Sequence, residues 1–444
     1  MVALGSGNQA LGEDSERHSI VIDIPNHWSV RRFRDSFSFS KGLTITKEDL
    51  EDEGVPCVNY GEVHSKYGFE IDAEKHSLKC VGEKYLKENP KSLLFRGDIV
   101  FADTSEDIEG SGNFTQLISE STIFAGYHTV IARPISDVSH RFLAYVLDSI
   151  TYRNQVRRAV KGVKVFSITK AILKDTKIWF PKVAQQIKIA NYLDQKTALL
   201  DEAITIKEKQ ISLLKERKQI LIQKAVTQGL NPNVLMKDSG VNWIGNIPEH
   251  WEVFANRALF SERVEKGRVG LPLLSVSIHS GVSKEEISDD ENVRGRVKIE
   301  DKSKYILVKT GDIAFNMMRA WQGGIGAVST DGMVSPAYIV AKPKPRINSE
   351  YFELQYRCPE FIQQMDRYSK GITDFRKRLY WDSFKQLNTV VPPIEEQAEI
   401  IRHIKTLSDK TESGVILLHK QIEKLKEYKA TLINSAVTGK IKVA

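Results

Sequence analysis

Cysteine is scarce in this chain, since Cys57, Cys80 and Cys358 are the three among 444 residues. So few thiols, without a Cys-x-x-Cys pair, argue against a disulfide framework and favour a reducing compartment. No apolar run reaches the roughly 18 residues that a membrane span needs. The leader, residues 1–19, lacks the long apolar segment of a secretory signal and is expected to be a mobile tail. We therefore expect a cytoplasmic protein without a membrane partner.

Sequence signatures of catalysis are also missing. No Gly-x-x-x-x-Gly-Lys-Ser/Thr loop is present, so ATP hydrolysis has no phosphate cradle. Asn231-Pro232 resembles the start of an amino-methyltransferase motif, but the aromatic residue that would stack on an extruded base does not follow. Buried thiols and surface histidines are a better interpretation than a zinc site for one irregularly spaced set: Cys57, His64, His76 and Cys80. We expect no catalytic residue, no metal and no cofactor in this chain.

The charge balance is mildly basic. Lys and Arg number 64 against 57 Asp and Glu, which gives a net charge of +7 and a sequence pI of about 9.0. Such a bias is compatible with a nucleic-acid partner without demonstrating one. A chain of 444 residues has room for two globular units, each with its own core.

One long segment of the sequence occurs twice. A segment from about Pro181 to Gly229 recurs from about Pro392 to Gly439, and over roughly 45 residues adding 211 to a position in the first gives its counterpart in the second without a gap. Gln186 thus falls on Gln397. The chain is thus organised as a domain, a long helix, a second domain and a second long helix, which is a pseudo-two-fold arrangement. Duplex DNA, with two separated sites, is a natural partner for that organisation.

Shorter motifs extend the repeat into the globular parts. Residues 24–30 recur as residues 247–253, both containing Ile-Pro-x-His-Trp, and residues 95–101 resemble residues 308–315. In the second pair a Gly-Asp turn precedes a short apolar run, which predicts a buried strand. Residues 141–158 and 350–368 are helical candidates. The fold class is therefore α/β, with two mixed α/β domains joined by two long antiparallel helices. The expected segments are a mobile leader at 1–19, domains at 20–180 and 236–391, and long helices at 181–235 and 392–444.

A coiled-coil seam is predicted on both long helices, because apolar residues recur at alternating steps of four and three. The seam consists of Leu200, Ile204, Ile211, Leu214 and Leu221 in the first helix and Val415, Leu418, Ile422, Leu425 and Leu432 in the second. A single seam would more often be a dimerisation coil or a core helix. Two matched seams favour helices that pack on each other, and about 43 helical residues would span roughly 65 Å between two domains.

Basic stretches precede both long helices. Their candidate DNA contacts are Arg157, Arg158, Lys161 and Lys164 in the first half and Lys370, Thr373, Arg376 and Arg378 in the second. Lysine and arginine can neutralise phosphates, and arginine can also read guanine. A solvated charged face is the alternative for either stretch alone. The corresponding position in both halves favours the DNA interpretation.

Another candidate segment contains Asn316, Arg319, Trp321 and Gln322, followed by two flexible glycines. Its polar side chains suit a loop that enters a DNA groove, although Trp321 could equally be a core residue. The first-half counterpart contains Thr104 and Ser105 among acidic residues. Contacts there would use hydroxyls or carboxylates that accept from cytosine N4. Different side chains at the same place are expected of two domains that read different sequences.

These motifs resemble the DNA-specificity subunit of type I restriction-modification enzymes. Residues 238–251 are similar to the start of that family's second target-recognition domain, and residues 391–397 to the start of a conserved helix. Gly311-Asp312-Ile313, followed by residues 333–338, is also similar to one type of recognition domain. The first helix begins differently, because residues 181–186 lack the paired acids. The resemblance covers nearly the whole chain except the leader.

The resemblance implies that each domain reads one half of a split target in double-stranded DNA. The helices would fix the spacer and bind two methyltransferase (modification) subunits, which use S-adenosylmethionine to methylate adenine. Nuclease-translocase (restriction) subunits, which need ATP and Mg²⁺, would join for restriction. The competing hypotheses are a coiled-coil adaptor whose two domains bind proteins, and a stand-alone methyltransferase or nuclease, which the missing motifs oppose.

Overall fold

The fold is taken from a computed structural model, which describes residues 23–135, 138–162, 164–241, 243–278, 280–284, 304–371 and 376–443. Backbone contacts divide the chain into two compact units. The first is Met1–Ile206 with Lys420–Ala444, and the second is Lys207–His419. Each unit therefore combines one globular half of the chain with one end of both long helices. Within the described residues, no helix is long and apolar enough to cross a membrane.

The strands of the first half build two sheets and two short ribbons. They are, in chain order, β1 (Ser29–Arg32), β2 (Phe37–Lys41), β3 (Val55–Val58), β4 (Phe69–Ile71), β5 (Lys79–Val81), β6 (Leu93–Leu94), β7 (Ile99–Ala102), β8 (Thr104–Ser105), β9 (Phe114–Leu117), β10 (Ile123–Ala125), β11 (Thr129–Pro134), β12 (Phe166–Ser167) and β13 (Lys177–Phe180). The five-stranded sheet has the order β2-β11-β7-β9-β4 and the four-stranded sheet the order β5-β3-β10-β6. Strands β1 and β13 form one antiparallel ribbon, and β8 and β12 the other.

The helices of the first half include two that meet at a sharp break. They are α1 (Tyr60–Ser65), α2 (Lys84–Glu88), α3 (His140–Asp148), α4 (Ile150–Ala159) and α5 (Lys170–Asp175). The sequence predicts one helix from Arg141 to Arg158, but the structure breaks it at Ser149. Ser149 adopts an extended conformation and its side chain accepts a hydrogen bond from the Tyr152 backbone, so it caps the second helix.

The strands of the second half form one four-stranded sheet and several ribbons. They are β14 (Met236–Asp238), β15 (Asn246–Pro248), β16 (Glu252–Ala255), β17 (Phe260–Glu262), β18 (Leu274–Ser277), β19 (Gly281–Lys284), β20 (Ile306–Val308), β21 (Ile313–Asn316), β22 (Ile325–Ala327), β23 (Gly332–Val334), β24 (Tyr338–Pro343) and β25 (Asn388–Val391). The sheet has the order β17-β24-β21-β22. The ribbons pair β14 with β15, β16 with β25, β18 with β19 and β20 with β23.

The short helices of the second half also include two that meet at a sharp break. They are α7 (Asn256–Leu259), α8 (Ser349–Tyr356), α9 (Pro359–Tyr368) and α10 (Trp381–Phe384). A continuous helix from Glu350 to Tyr368 is expected from the sequence, and it too is broken. Cys358 is extended and Pro359 begins the next helix, where its missing N–H costs no hydrogen bond. The break lies at the same place in both halves, at Ser149 and at Cys358.

The long helices, α6 (Val183–Gln228) and α11 (Ile394–Val437), contribute their ends to both units. In the first unit, the Trp179 indole donates to the carbonyl of Val437 (2.6 Å), and Asp201 accepts from Lys429 (2.7 Å). Trp179 lies just before the start of α6 and contacts the end of α11, and Asp201, further along α6, contacts the earlier residue Lys429, so the two helices are antiparallel in this unit. In the second unit, Gly229 lies beside Glu396 in the first turn of α11.

Burial along the long helices follows the steps of four and three. Side chains between the seam positions are mostly exposed. The seam residues are buried or half-buried, namely Leu200, Ile204, Ile211, Leu214 and Leu221 in α6 and Val415, Leu418, Ile422, Leu425 and Leu432 in α11. Two mixed α/β halves with two long antiparallel helices agree with the fold class predicted from the sequence.

Two equivalent glutamines connect each domain to its long helix in the same way. Gln186 accepts from the Ser139 backbone (2.9 Å) and donates to the carbonyl of Pro181 (2.8 Å). Gln397 accepts from the Asn348 backbone (2.9 Å) and donates to the carbonyl of Pro392 (2.9 Å). The internal repeat of the sequence is therefore also a repeat of hydrogen bonds.

The repeated tryptophan covers the carboxyl end of a long helix in each unit. Gly439, with φ +73°, lies against Trp28, and Gly229, with φ +78°, lies against Trp251. Both glycines adopt the left-handed conformation that ends many helices. The Trp251 indole donates to the Glu396 carboxylate (2.9 Å), whereas the buried Trp28 indole nitrogen has no acceptor among the described residues.

Candidate nucleic-acid interface

In the first half, strand pairing brings the Thr104 segment beside the basic stretch. Strand β8 leaves the five-stranded sheet directly after β7, and Ser105 pairs with Phe166 while Thr104 pairs with Ser167. A further bridge joins Ser167 to Lys161. Two candidate segments that are about sixty residues apart in the sequence therefore form one surface.

Exposure separates the predicted DNA contacts of this surface into two groups. Arg158, Lys161 and Lys164 are exposed and can approach phosphates, and Thr104 is half-buried. Ser105 is only 6% exposed, so a direct base contact would require its side chain to leave the interior.

Arg157, also predicted to contact DNA, is half-buried and donates to the Glu109 carbonyl (2.8 Å). Burial lowers the pKa of Arg157, and the neighbouring guanidinium of Arg153 lowers it further. Arg157 thus fastens helix α4 to the loop that follows β8. Its partly buried position makes it less accessible to phosphate than its exposed neighbours.

A groove of about 830 Å³ opens beside this surface. Its walls include three residues that the sequence does not single out as DNA contacts, Tyr60, His64 and His128. The rings of Tyr60 and His128 lie 5.3 Å apart, and His128 Nδ1 lies 3.1 Å from an oxygen of Asp103. The side chains around this groove can donate, accept and stack, which is the chemistry needed to contact bases.

A chain of hydrogen bonds holds the Thr104 segment in place. Arg153 donates to the Asn113 side-chain oxygen (2.8 Å), so the Asn113 amide nitrogen faces His64 Nδ1 (2.9 Å). Because Nδ1 accepts there, the ring proton of His64 is on Nε2, which donates to the Thr104 carbonyl (2.8 Å). His64 belongs to α1, forty residues before Thr104, and no local sequence pattern predicts their contact.

In the second half, the Trp321 segment and the basic stretch also meet. Leu379 donates its backbone N–H to the Met317 carbonyl (2.9 Å), and the Lys377 ammonium lies 5.0 Å from the Trp321 ring centre. Lys377 additionally pairs with Asp366 (2.7 Å). Trp321 is half-buried and its indole donates to the Met318 carbonyl (3.0 Å). The indole is therefore held against its own segment and does not project freely from it.

Polar side chains around Trp321 are oriented by the backbone. Asn316 accepts from the Met318 N–H (2.9 Å), and exposed Arg319 donates to Gln322 (2.8 Å). The amide nitrogen of Gln322 and the remaining N–H groups of the Arg319 guanidinium are donors, which the N7 of a purine and the O6 of guanine can accept from. This set differs from the carboxylates and imidazoles of the first half.

The basic stretch of the second half is closed by a short antiparallel bridge. Lys370 and Arg378 exchange backbone hydrogen bonds of 2.8 and 2.9 Å. Lys370 and Arg376 are exposed, and Arg378 is half-buried. Thr373, also predicted to contact DNA, lies outside the described residues.

Comparisons with known proteins agree with this geometry. Residues 25–216 match the family described as the type I restriction modification DNA specificity domain. The chain is 23% identical over 98% of both sequences to a putative type I restriction enzyme MjaX specificity subunit of Methanocaldococcus jannaschii. It is also 23% identical to the EcoKI specificity subunit of Escherichia coli, over 86% of this chain and 82% of that protein.

Solved structures share the fold. A chain from a study of complex assembly in a type I restriction-modification system has a TM-score of 0.61 at 13% identity, covering 94% of this chain and 99% of that one. The HsdS subunit from Thermoanaerobacter tengcongensis has a TM-score of 0.50 at 12% identity, covering 94% and 98%. Together the comparisons show that this chain is similar to type I restriction enzyme specificity subunits along nearly its whole length. The two-domain adaptor is not favoured, because the relatives are specificity subunits along nearly the whole chain.

Proposed function

We propose that this chain is a type I specificity subunit that recognises a bipartite target in double-stranded DNA, with one half-site bound by each globular half. One observation carries the proposal. In both halves, the segment after a central strand, β7 or β21, packs against the basic stretch that precedes a long helix. The placement is shared while the side chains differ, as two readers of unlike sequences require.

Phosphate contacts would come from the exposed cations of both surfaces. These are Arg158, Lys161 and Lys164 in the first half and Lys370 and Arg376 in the second. Such contacts fix the position of a protein on the duplex, while groove-facing polar groups supply the sequence preference. Hydroxyl, carboxylate and imidazole groups would read the first half-site, and amide and guanidinium groups the second.

The long helices would set the spacer and bind two methyltransferase subunits. Helix α6 carries exposed apolar side chains that recur every seven residues, at Leu199, Ile206, Leu213 and Ile220, and all four are at least half exposed. A stripe with this period is the surface that another helix packs on. It lies apart from the seam residues, which are buried or half-buried.

Catalysis would belong to the partner subunits. Methyltransferase subunits would bind S-adenosylmethionine, and restriction subunits would use ATP and Mg²⁺, while this chain positions the complex. The three cysteines are buried and form no disulfide, as expected of a protein that works in a reducing cytoplasm.

A salt titration of DNA binding tests the proposal. The full chain with its methyltransferase partner should bind duplex DNA, and the R158A/K161A variant should bind all sequences more weakly. Its log–log salt slope should fall by about 0.9 for each phosphate that the variant no longer neutralises. The matched control, K47A, removes an exposed lysine outside the basic stretch and should bind as the parent does. Absence of DNA binding by the complex would instead favour the protein-binding adaptor.

Binding of the methyltransferase subunits to α6 is tested separately, by co-purification. The substitution L213E places a charge in the exposed stripe of α6 and should reduce co-purification of the methyltransferase. K215E, a nearby exposed position, should leave co-purification unchanged. Equal retention of the partner by both variants would place the docking surface elsewhere.

A further inference from the structure

One charged contact between domain and helix is inverted between the two halves. In the first half, the Arg141 guanidinium of α3 pairs with Asp194 of α6, 2.6 Å from Nη2 to Oδ1. In the second half, the Lys405 ammonium of α11 pairs with Glu350 of α8 at 2.6 Å. The domain is positive and the helix negative in the first pair, and the reverse holds in the second.

The shared glutamine contact shows that the two pairs occupy equivalent positions. Ser139 and Asn348 are the capping residues that donate to Gln186 and Gln397 at 2.9 Å. Arg141 and Glu350 each lie two residues after their capping residue. Asp194 and Lys405 each lie eight residues after their glutamine. The backbone frame is therefore the same and only the charges are exchanged.

The surroundings of Arg141 make the first pair the more constrained one. Glu70 lies 2.7 Å from Arg141, whose guanidinium also stands 4.8 Å from the Phe69 ring centre. The Tyr145 hydroxyl donates to Asp194 (2.6 Å). Only 26% of the Arg141 side chain and 37% of Asp194 are exposed, against 65% for Lys405 and 55% for Glu350. An exposed pair such as the second contributes little stability by itself.

Other equivalent positions keep their chemistry. The glutamines are identical, and Asp201, which pairs with Lys429, has an acidic counterpart at Glu412. Lys429 likewise corresponds to Lys218. Charges of the same sign thus occur at both of these pairs of helix positions, whereas the sign is exchanged between Asp194 and Lys405. Lys188 and Glu399 are a second exchanged position on the long helices.

We propose that the inverted pair is a positional key, which allows each domain to pack on its own helix and penalises packing on the other. The rest of the frame would accept either domain at either position. An exchanged domain would place Arg141 against Lys405, or Glu350 against Asp194. Like charges at that distance oppose association, and such repulsion of a wrong partner can add to specificity beside attraction to the right one. The key would stop a first-position recognition domain from being used at the second position.

Duplication of the first domain tests the key without any measurement of DNA binding. Residues 247–391 are replaced by a second copy of residues 24–180, so that Arg141 of the new copy faces Lys405. The substitution K405D should then raise the melting temperature of the second unit, by about 2–4 °C if the repulsion is near 1 kcal/mol. In the parent chain, K405D should lower it, because Asp would face Glu350. The control K410D changes the same charge at another exposed position of α11 and should have the same small effect in both chains.

Opposite signs for K405D in the two chains support the key, and the same sign in both would overturn it. If the duplicated chain does not fold, a cycle in the parent decides. D194K gives the first helix the charge of the second and should lower the melting temperature of the first unit. The cycle is made in an E70Q background, which removes the carboxylate 2.7 Å from Arg141. There, adding R141E to D194K recreates the polarity of the second half and should recover most of that decrease. If R141E/D194K is no more stable than D194K in that background, the proposal is refuted.

Discussion

The two repeated tryptophans give the sharpest stability prediction. The Trp251 indole donates to Glu396, which also lies 2.8 Å from His250 Nε2, whereas the buried indole nitrogen of Trp28 has no acceptor within the described part of the chain. Gln185 occupies the position in α6 that Glu396 occupies in α11. The substitution Q185E should therefore supply the missing acceptor and stabilise the first unit.

The expected size follows from the cost of a buried donor without a partner, about 1–3 kcal/mol. Because a glutamate at position 185 must give up some side-chain freedom, we expect a gain near the lower limit, about 1 kcal/mol. A gain of that size raises the melting temperature of a unit of this length by about 2–4 °C.

Urea unfolding followed by tryptophan fluorescence is a suitable assay, since a higher midpoint with an unchanged slope reports stability alone. Q185A is the control and should change little, because Gln185 is exposed. The converse variant, E396A, leaves the Trp251 indole without its acceptor and should cost about 1–3 kcal/mol in the second unit. If neither Q185E nor E396A changes the free energy of unfolding of its unit, the idea that these indoles need acceptors is refuted.

Three further predictions concern DNA recognition. Replacing residues 20–180 with the equivalent domain of another family member should change one half of the selected target, and a change in both halves would contradict separate readers. Inserting four residues near Lys209 adds about 6 Å of helix, close to two base pairs, so selected targets should change in spacer length and keep both half-sites. R376A or R378A should weaken binding to all sequences if the residue contacts phosphate, or relax one position of the second half-site at a cost of about 1–3 kcal/mol if it reads guanine. If both variants keep wild-type affinity, salt slope and sequence preference, these arginines belong to a solvated face that does not contact DNA.

The sequence predicts the main elements of this fold well because the motifs that mark them occur twice in the chain. The long helices, the Gly-Asp turns and the buried strands after them all follow from the repeat. Asp98 and Asp312 illustrate this, since each accepts a backbone hydrogen bond of 2.8 Å from the residue three positions before it. Contacts that depend on a local turn or on helix periodicity can be inferred from spacing alone.

Contacts between distant segments could not be inferred in this way. The pairing of Thr104 with Ser167 and the hydrogen bond from His64 to Thr104 depend on sheet register, and short strands leave little register information in the sequence. Ser149 and Pro359 are local signals for a helix break. The helix-favouring residues around them nevertheless predict one continuous helix in each half, which is why the breaks were not expected. The DNA contacts themselves remain predictions, because exposure shows which side chains can reach a duplex and does not show which bases they prefer.

Sequence selection is the most direct test of bipartite recognition. The chain, assembled with its methyltransferase partner, would be used to select bound duplexes from a random library, followed by sequencing. Bipartite recognition predicts two short conserved blocks separated by an unread spacer of constant length. A single uninterrupted block, or no enrichment from a complex that is folded and assembled, would contradict it.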